Sequence, residues 1–207
     1  MLFRSASNLL VVELPGEGTD TVQSSVTFTL GADFENLIIT GSAIANGTGS
    51  ASANILTGNG AANLLKGMWA NDTLSGGAGD DTLAGNGSND SLTGGTGADK
   101  FYFDTALNAT TNVDVITDFT VANDKIQLDD DIFTSLPSAI SVTVAAGQFI
   151  SGAGLTAARD ADDFLIYNTS TGDLYYDSDG NGAAVAVKFA VLTGLPALGA
   201  GDFIIVN

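Results

Sequence analysis

Six copies of one nine-residue pattern run without a gap from Gly49 to Tyr102. The eighth residue of every copy is Leu or Phe, and the sixth is Asn or Asp. The sixth positions are Asn54, Asn63, Asp72, Asp81, Asp90 and Asp99. Such a period predicts a coiled chain of stacked copies, because a single copy is too short to bury its own apolar residue.

The chain is strongly acidic. Against six Lys and Arg stand 24 Asp and Glu, which gives a formal net charge of -18 over 207 residues. A chain so poor in basic residues is not suited to bind nucleic acid. Most of the acids are Asp, which favours turns and ligand loops over helices. Divalent cations would relieve the resulting repulsion.

The sequence contains no His and no Cys. Imidazole and thiolate are therefore excluded as metal ligands, as catalytic groups and, for Cys, as disulfides. A metal site in this chain must be built from oxygen atoms, and oxygen ligands favour Ca²⁺ over zinc or copper. No apolar run is long enough to span a membrane, and the N-terminus lacks the order of a cleaved signal peptide. We therefore expect any export to use another route.

The two most regular copies are residues 76–84 and 94–102, which read Gly-Gly-x-Gly-x-Asp-x-apolar-x. Glycines allow the first six residues to turn tightly and to expose backbone carbonyl oxygens. The remaining residues predict a short strand whose eighth side chain points inward. The sequence here resembles the repeats-in-toxin (RTX) family of calcium-binding nonapeptide repeats.

The resemblance implies an all-β fold, a right-handed parallel β-roll with two copies per turn, followed by a β-rich C-terminal cap. Equivalent loops are then two copies apart in sequence and about one strand spacing, roughly 4.8 Å, apart in space. Ca²⁺ is expected between them, with Asp81 and Asp99 at one site and Asp72 and Asp90 at the other. The implied carbonyl ligands are Gly76, Ala78, Gly95 and Gly97 at the first site, and Gly67, Trp69, Asn86 and Ser88 at the second.

One turn earlier, Asn63 pairs with Asp81 and Asn54 with Asp72, so an amide replaces one carboxylate and ion affinity should fall. The alternative for these copies is a metal-free ladder of side-chain hydrogen bonds.

The pattern extends upstream in degenerate copies, with Asn36 and Ala45 as sixth positions and Ile38 as an eighth, after a half-copy at 16–20 and a strand over 22–30.

Two further groups of acids are candidate ligands. Residues 177–182 have the spacing of the first half of an EF-hand loop, but the twelfth position is Lys188, so a plain hairpin connection is the alternative. The segment 112–126 resembles the one that closes RTX rolls, where acids help to bind a last ion. These candidate ligands are Asp177, Asp179, Asn181, Asp114, Asp118 and Asp124.

We therefore predict three regions: a degenerate repeat and strand segment at 1–48, truncated from a larger protein; the roll at 49–102; and the cap at 103–207. Strands are expected at 113–119, 125–128, 164–167, 174–176, 185–192 and 203–206, with one helical turn at 129–136. The C-terminal Asp202 and the apolar residues after it resemble an uncleaved signal for type I export, or form the last strand of the cap.

The predicted function is that of a secreted, extracellular or cell-surface module that binds calcium and folds on export. One alternative is the tail of a protease or lipase with its catalytic domain upstream, since this chain has no His-based site and no Gly-x-Ser-x-Gly motif. Another is a surface adhesin or matrix module that binds a glycan or another partner through Tyr167, Tyr175 and Tyr176, which could equally be packed pairs.

Overall fold

A computed structural model describes residues 18–137 and 141–207, together with the backbone of residues 2–5. Residues 16 and 17 of the predicted half-copy lie outside this part. Two short 3-10 turns, Ala146–Gln148 and Ala200–Asp202, are the helical elements of the described residues. The strands are β1 Leu2–Ser5, β2 Thr21–Ser24, β3 Phe28–Thr29, β4 Asn36–Ile39, β5 Gly47–Thr48, β6 Ile55–Thr57, β7 Leu64–Met68, β8 Thr73–Ala78, β9 Thr82–Asn86, β10 Ser91–Thr96, β11 Lys100–Phe103, β12 Asp114–Ile116, β13 Lys125–Asp129, β14 Val142–Thr143, β15 Phe149–Gly152, β16 Leu165–Asn168, β17 Asp173–Tyr176, β18 Val187–Leu192 and β19 Phe203–Val206.

The strands form two sheets, and through the repeats the chain alternates between them. One sheet has 11 strands in the order β1-β2-β4-β6-β8-β10-β12-β18-β17-β16-β15, and the other has eight in the order β14-β19-β13-β11-β9-β7-β5-β3. Neighbouring strands are parallel throughout the repeats. The predicted parallel β-roll is confirmed.

Stacking in the repeats follows the predicted period. Thr73 pairs with Ser91, and Thr82 pairs with Lys100, so each coil consists of two copies of the repeat. The eighth residue of every copy is 0 % exposed and packs between the sheets. This column of side chains is the core of the roll, and it orients the loops at both edges.

The degenerate N-terminal copies differ from the prediction by one residue. Leu37 pairs with Leu56 and is fully buried, whereas Ile38 pairs with Thr57 and is partly exposed. Asn36 as a sixth position and Ile38 as an inward eighth position are therefore wrong. This coil is one residue longer than two copies, so both residues lie one place later in the repeat than predicted, and their side chains reverse faces. The predicted strand at 22–30 is broken by a bend at Ser25 into β2 and β3, which belong to different sheets.

Both sheets continue past Phe103. The domain boundary near that residue stays a prediction. β12 pairs with β18, and β13 pairs with β19, although these partners are far apart in sequence, as in Ile116↔Leu192 and Ile126↔Phe203. All six strands predicted after residue 103 are present; the one at 203–206 has the predicted bounds, and the other five differ at one or both ends. β14 and β15 were not predicted. Residues 129–136 form hydrogen-bonded turns and no assigned helix.

In the C-terminal region, aromatic side chains extend the core of the roll. Phe189 packs edge-on against Phe103 and Phe133, and Phe133 packs against Tyr176. Tyr167 and Tyr176 are buried, and Tyr176 accepts a hydrogen bond from the Ser135 N–H through its hydroxyl. Tyr167 and Tyr176 are therefore packing residues, as the alternative of packed pairs predicts, which excludes a binding face made of all three tyrosines; an adhesin or matrix role stays a prediction. No described helix is long and apolar enough to span a membrane.

Candidate metal centre

The sixth-position side chains form two continuous ladders, one at each edge of the roll. In each ladder, Oδ1 of a carboxylate accepts a hydrogen bond from the backbone N–H of the sixth residue one coil earlier. Asp99 accepts from Asp81 at 2.9 Å, and Asp90 accepts from Asp72 at 2.7 Å. The stacking therefore brings together both acidic pairs that the sequence predicts. All four carboxylates are at most 2 % exposed.

The second oxygen of these carboxylates has no partner. Oδ2 of Asp72, Asp81, Asp90 and Asp99 is buried and receives no hydrogen bond. Leaving a buried carboxylate oxygen unpaired costs a few kcal/mol, roughly 1–3, so each of these atoms needs a cation or a proton. The orphaned oxygens recur at every acidic copy, which indicates one repeated site and not an isolated packing defect.

The first-position glycines are required by these same oxygens. A Cβ added to Gly76 would lie 2.3 Å from Asp81 Oδ2 and 2.6 Å from the carbonyl oxygen of Gly94 in the next coil. A Cβ at Gly67 would meet Asp72 Oδ2 in the same way. The carboxylate thus folds back over the start of its own copy, and only glycine leaves it that space.

Backbone conformation separates the last four copies from the first two. The second and fourth residues of the copies that begin at residues 67, 76, 85 and 94 all have positive φ. In two of these copies the residues are glycines. In the other two they are not: Met68 has φ 90°, Ala70 67°, Asn86 68° and Ser88 95°. These four L-residues adopt a conformation that normally costs each of them about 1–2 kcal/mol.

The Asn copies have positive φ at neither position and close differently. Oδ1 of Asn54 accepts from the N–H of Ser50 at 2.6 Å, and its Nδ2 donates to the carbonyl of Phe34 at 2.8 Å. Oδ1 of Asn63 accepts from the N–H of Asn59, and its Nδ2 donates to the carbonyl of Ala45. Both amides thus have partners in the protein for their oxygen and their nitrogen.

Burial raises the pKa of five acids in the ladders. It raises the pKa of Asp72 to about 7 and those of Asp81 and Asp90 to about 6. Burial also raises the pKa of Asp99, and burial followed by the charge of Asp90 raises that of Asp114 well above its ordinary value. Without a cation, the fold therefore favours the protonated carboxyl groups.

Asp114 and Asp124 continue the ladders by one more coil. Asp114 accepts from the N–H of Asp90 and Asp124 from that of Asp99, each at 3.0 Å. Asp118 lies at the start of its loop and accepts from the N–H groups of Gly94 and Gly95. The predicted closing acids are therefore in line with the repeat sites.

The loop at residues 177–182 connects antiparallel β17 and β18, as its hairpin alternative predicts. Asp177 accepts from the N–H of Asp179, whose Oδ2 accepts from Ala183 and Ala184. Nδ2 of Asn181 donates to the carbonyl of Arg159. Lys188, at the twelfth position, forms an ion pair with Asp173 at 3.4 Å. This loop is closed by its own hydrogen bonds, and a calcium site there stays a prediction.

The donors fit a hard divalent cation at the two acidic pairs. The buried, unpaired carboxylate oxygens lie against the first-position glycines of the loops, and oxygen ligands are those that Ca²⁺ prefers. Of the eight implied carbonyl ligands, Gly67 and Gly76 are buried, and the others are at least partly exposed at the loops. Nowhere in the described residues do three or more acidic, His or Cys side chains gather as a metal cluster, so backbone carbonyls must complete a site.

The repeat region matches a known family. A family model described as RTX calcium-binding nonapeptide repeat, in four copies, matches residues 48–83 and 75–105. No curated protein matches the chain. The chain is similar to the solution structure of the AlgE6R3 subunit from the Azotobacter vinelandii mannuronan C5-epimerase, with 25% sequence identity, a TM-score of 0.47 and coverage of 75% of this chain and 79% of that one. Residues 48–105 are therefore identified as RTX calcium-binding nonapeptide repeats, and the repeat strands pair in parallel as a β-roll.

Proposed function

We propose that this chain is a module that folds when it binds Ca²⁺ outside the cell and that serves the export and folding of a larger secreted protein. The observation that carries the proposal is two pairs of buried, unpaired Oδ2 atoms, one pair in each ladder. A divalent cation would supply their missing partner, and two carboxylates would neutralise it.

The proposed first site lies between the loops that begin at Gly76 and Gly94, with Asp81 and Asp99 as its carboxylates. The proposed second site lies between the loops that begin at Gly67 and Gly85, with Asp72 and Asp90. The carbonyls implied by the family pattern complete each site. We expect the first site to bind more tightly, because all its positive-φ positions are glycine.

The mechanism we propose is coupled binding and folding. Without calcium, closing the loops would bury carboxylates of like charge one coil apart at each edge of the roll, and their repulsion opposes closure. Extracellular calcium binds only the closed form and stabilises it by mass action. The chain would thus remain loose in a calcium-poor cytoplasm and fold after type I export. β19 supports the cap-strand alternative for the C-terminus, and a role in export remains compatible with it.

Circular dichroism and calorimetric titration of the whole chain with CaCl₂ test this function. We expect coil to become β-structure on adding calcium and to return with a chelator. Asp81→Asn should weaken this response. The matched control is Asp80→Asn, which removes the same charge from an exposed neighbour in the same loop. Identical spectra with and without calcium, or equal effects of both variants, would contradict the proposal.

We assign no catalytic role to this segment. A hydrolytic domain upstream remains the alternative, and assaying the isolated chain on peptide and ester substrates separates the two. Hydrolysis by the purified chain would overturn our assignment.

A further inference from the structure

A pocket of about 710 Å³ opens at the edge of the roll beside the second proposed calcium site. Pockets that bind small molecules usually have volumes of roughly 300–1,000 Å³. Trp69 forms one wall, and the loop between β11 and β12 forms the other. The lining includes Lys66, Trp69, Asn86, Ser88, Leu107 and Asn112.

The loop that forms the second wall is longer than the repeat requires. Ser91 pairs with Val115 one coil later, and this interval exceeds the one from Thr73 to Ser91 in the preceding coil. The extra residues are held in place: Thr105 donates to the carbonyl of Asn86, and Asn112 donates through Nδ2 to Thr105 and Ala106. The pocket is therefore preformed, which reduces the cost of ordering it on binding.

Trp69 presents its indole ring to solvent in this pocket. Its side chain is 65% exposed, although it is the only Trp in the chain. The ring lies across Gly87, where an added Cβ would come within 3.3 Å of Trp69 Cε3. A large aromatic surface held open in this way offers a flat apolar platform beside polar groups.

The polar lining consists mostly of amides and hydroxyls. Lys66 is the one ionisable side chain among the residues that line the pocket. The carboxylate of Asp104 accepts a hydrogen bond from Asn86 Nδ2 at 2.7 Å. The ion pairs of the described residues use Lys125 and Lys188 and leave Lys66 available. Because the whole chain carries a charge of -18, a polyanion would be repelled at long range.

We infer that this pocket binds a neutral oligosaccharide. A sugar ring has an apolar face of C–H groups, which suits the Trp69 indole, and a rim of hydroxyls, which suits amide, hydroxyl and ammonium groups. The pocket shares Trp69, Asn86 and Ser88 with the second calcium site that the proposed function requires, so ion and sugar binding should be coupled reciprocally.

The single tryptophan allows a direct test on the whole chain in saturating CaCl₂. Cellohexaose, laminarihexaose, mannohexaose and maltohexaose serve as neutral probes, and hexagalacturonate as the anionic one. We expect at least one neutral probe to shift the Trp69 emission saturably. Gly87→Ala, which presses on the indole without a positive φ, should weaken this binding about tenfold, or 1.4 kcal/mol. Ile55→Ala, an exposed apolar residue outside the pocket, is the control.

The result that overturns the inference is no emission shift with any neutral probe, tighter binding of hexagalacturonate, or equal binding by Gly87→Ala and Ile55→Ala. Circular dichroism of the same samples shows whether calcium-induced folding is intact. A missing calcium response would contradict the proposed function, whereas an intact response with no sugar binding would contradict only this inference.

Discussion

Replacing Ala70 by glycine should stabilise the folded roll, although glycine usually destabilises a folded chain. Ala70 has φ 67°, which costs an L-residue about 1–2 kcal/mol. Glycine also gives the unfolded chain more conformational entropy, which cancels roughly 0.5–1 kcal/mol of the strain energy removed. The net expectation is a free energy of unfolding that is higher by about 0.5–1 kcal/mol.

Ala61→Gly is the matched control. Ala61 is also the fourth residue of its copy and is similarly half-buried, but it has no positive φ. It gains nothing from glycine, so this variant should lose about 0.5–1 kcal/mol. The difference between the two variants should be about 1–2 kcal/mol, because the entropy cost cancels.

Urea unfolding in saturating calcium measures this difference by linear extrapolation. Equal loss of stability in the two variants would refute the reasoning, since the strain at Ala70 would then contribute nothing to the energy of the roll.

Three further predictions concern the loops and the ladders. Gly76→Ala should abolish calcium-induced folding, because its Cβ would overlap Asp81 Oδ2, whereas Gly60→Ala, with nothing within 4 Å of its Cβ, should fold normally by circular dichroism. Asp99→Ala should weaken the calcium response much more than Asn54→Ala; equal calorimetric affinities would contradict the expectation that ion affinity falls where Asn replaces Asp. The chelated protein should be more ordered near pH 5 than near pH 8, because folding raises the pKa of Asp72 from 3.8 to about 7. The stability that protonated Asp72 gives the chelated fold is complete below pH 3.8 and is lost as the pH rises through about 7. With calcium, the protein should instead be more ordered near pH 8 than near pH 5, since the ion requires ionised carboxylates. An unchanged spectrum of the chelated protein across this range would count against the buried ladders.

The structure of the repeats could be predicted almost completely from the sequence. The two-copy stacking, the inward eighth residues and the pairing of Asp81 with Asp99 all follow from a period that six copies share. The register of the degenerate copies could not be predicted so well. Leu37, Ile38 and Ile39 are consecutive apolar residues, so their spacing does not show which of them faces the core, and one added residue decides it.

The sequence by itself determined the coil, its register and the acids that line its edges, because these depend on residues at fixed short separations. Tertiary structure decided the rest. It joined β12 to β18 across most of the C-terminal region, saturated the Asn amides with hydrogen bonds while leaving the Asp oxygens unpaired, and set a long loop against Trp69 to form a pocket. Such contacts depend on the packing of segments far apart in the chain, and the spacing of residues within one short segment does not predict them.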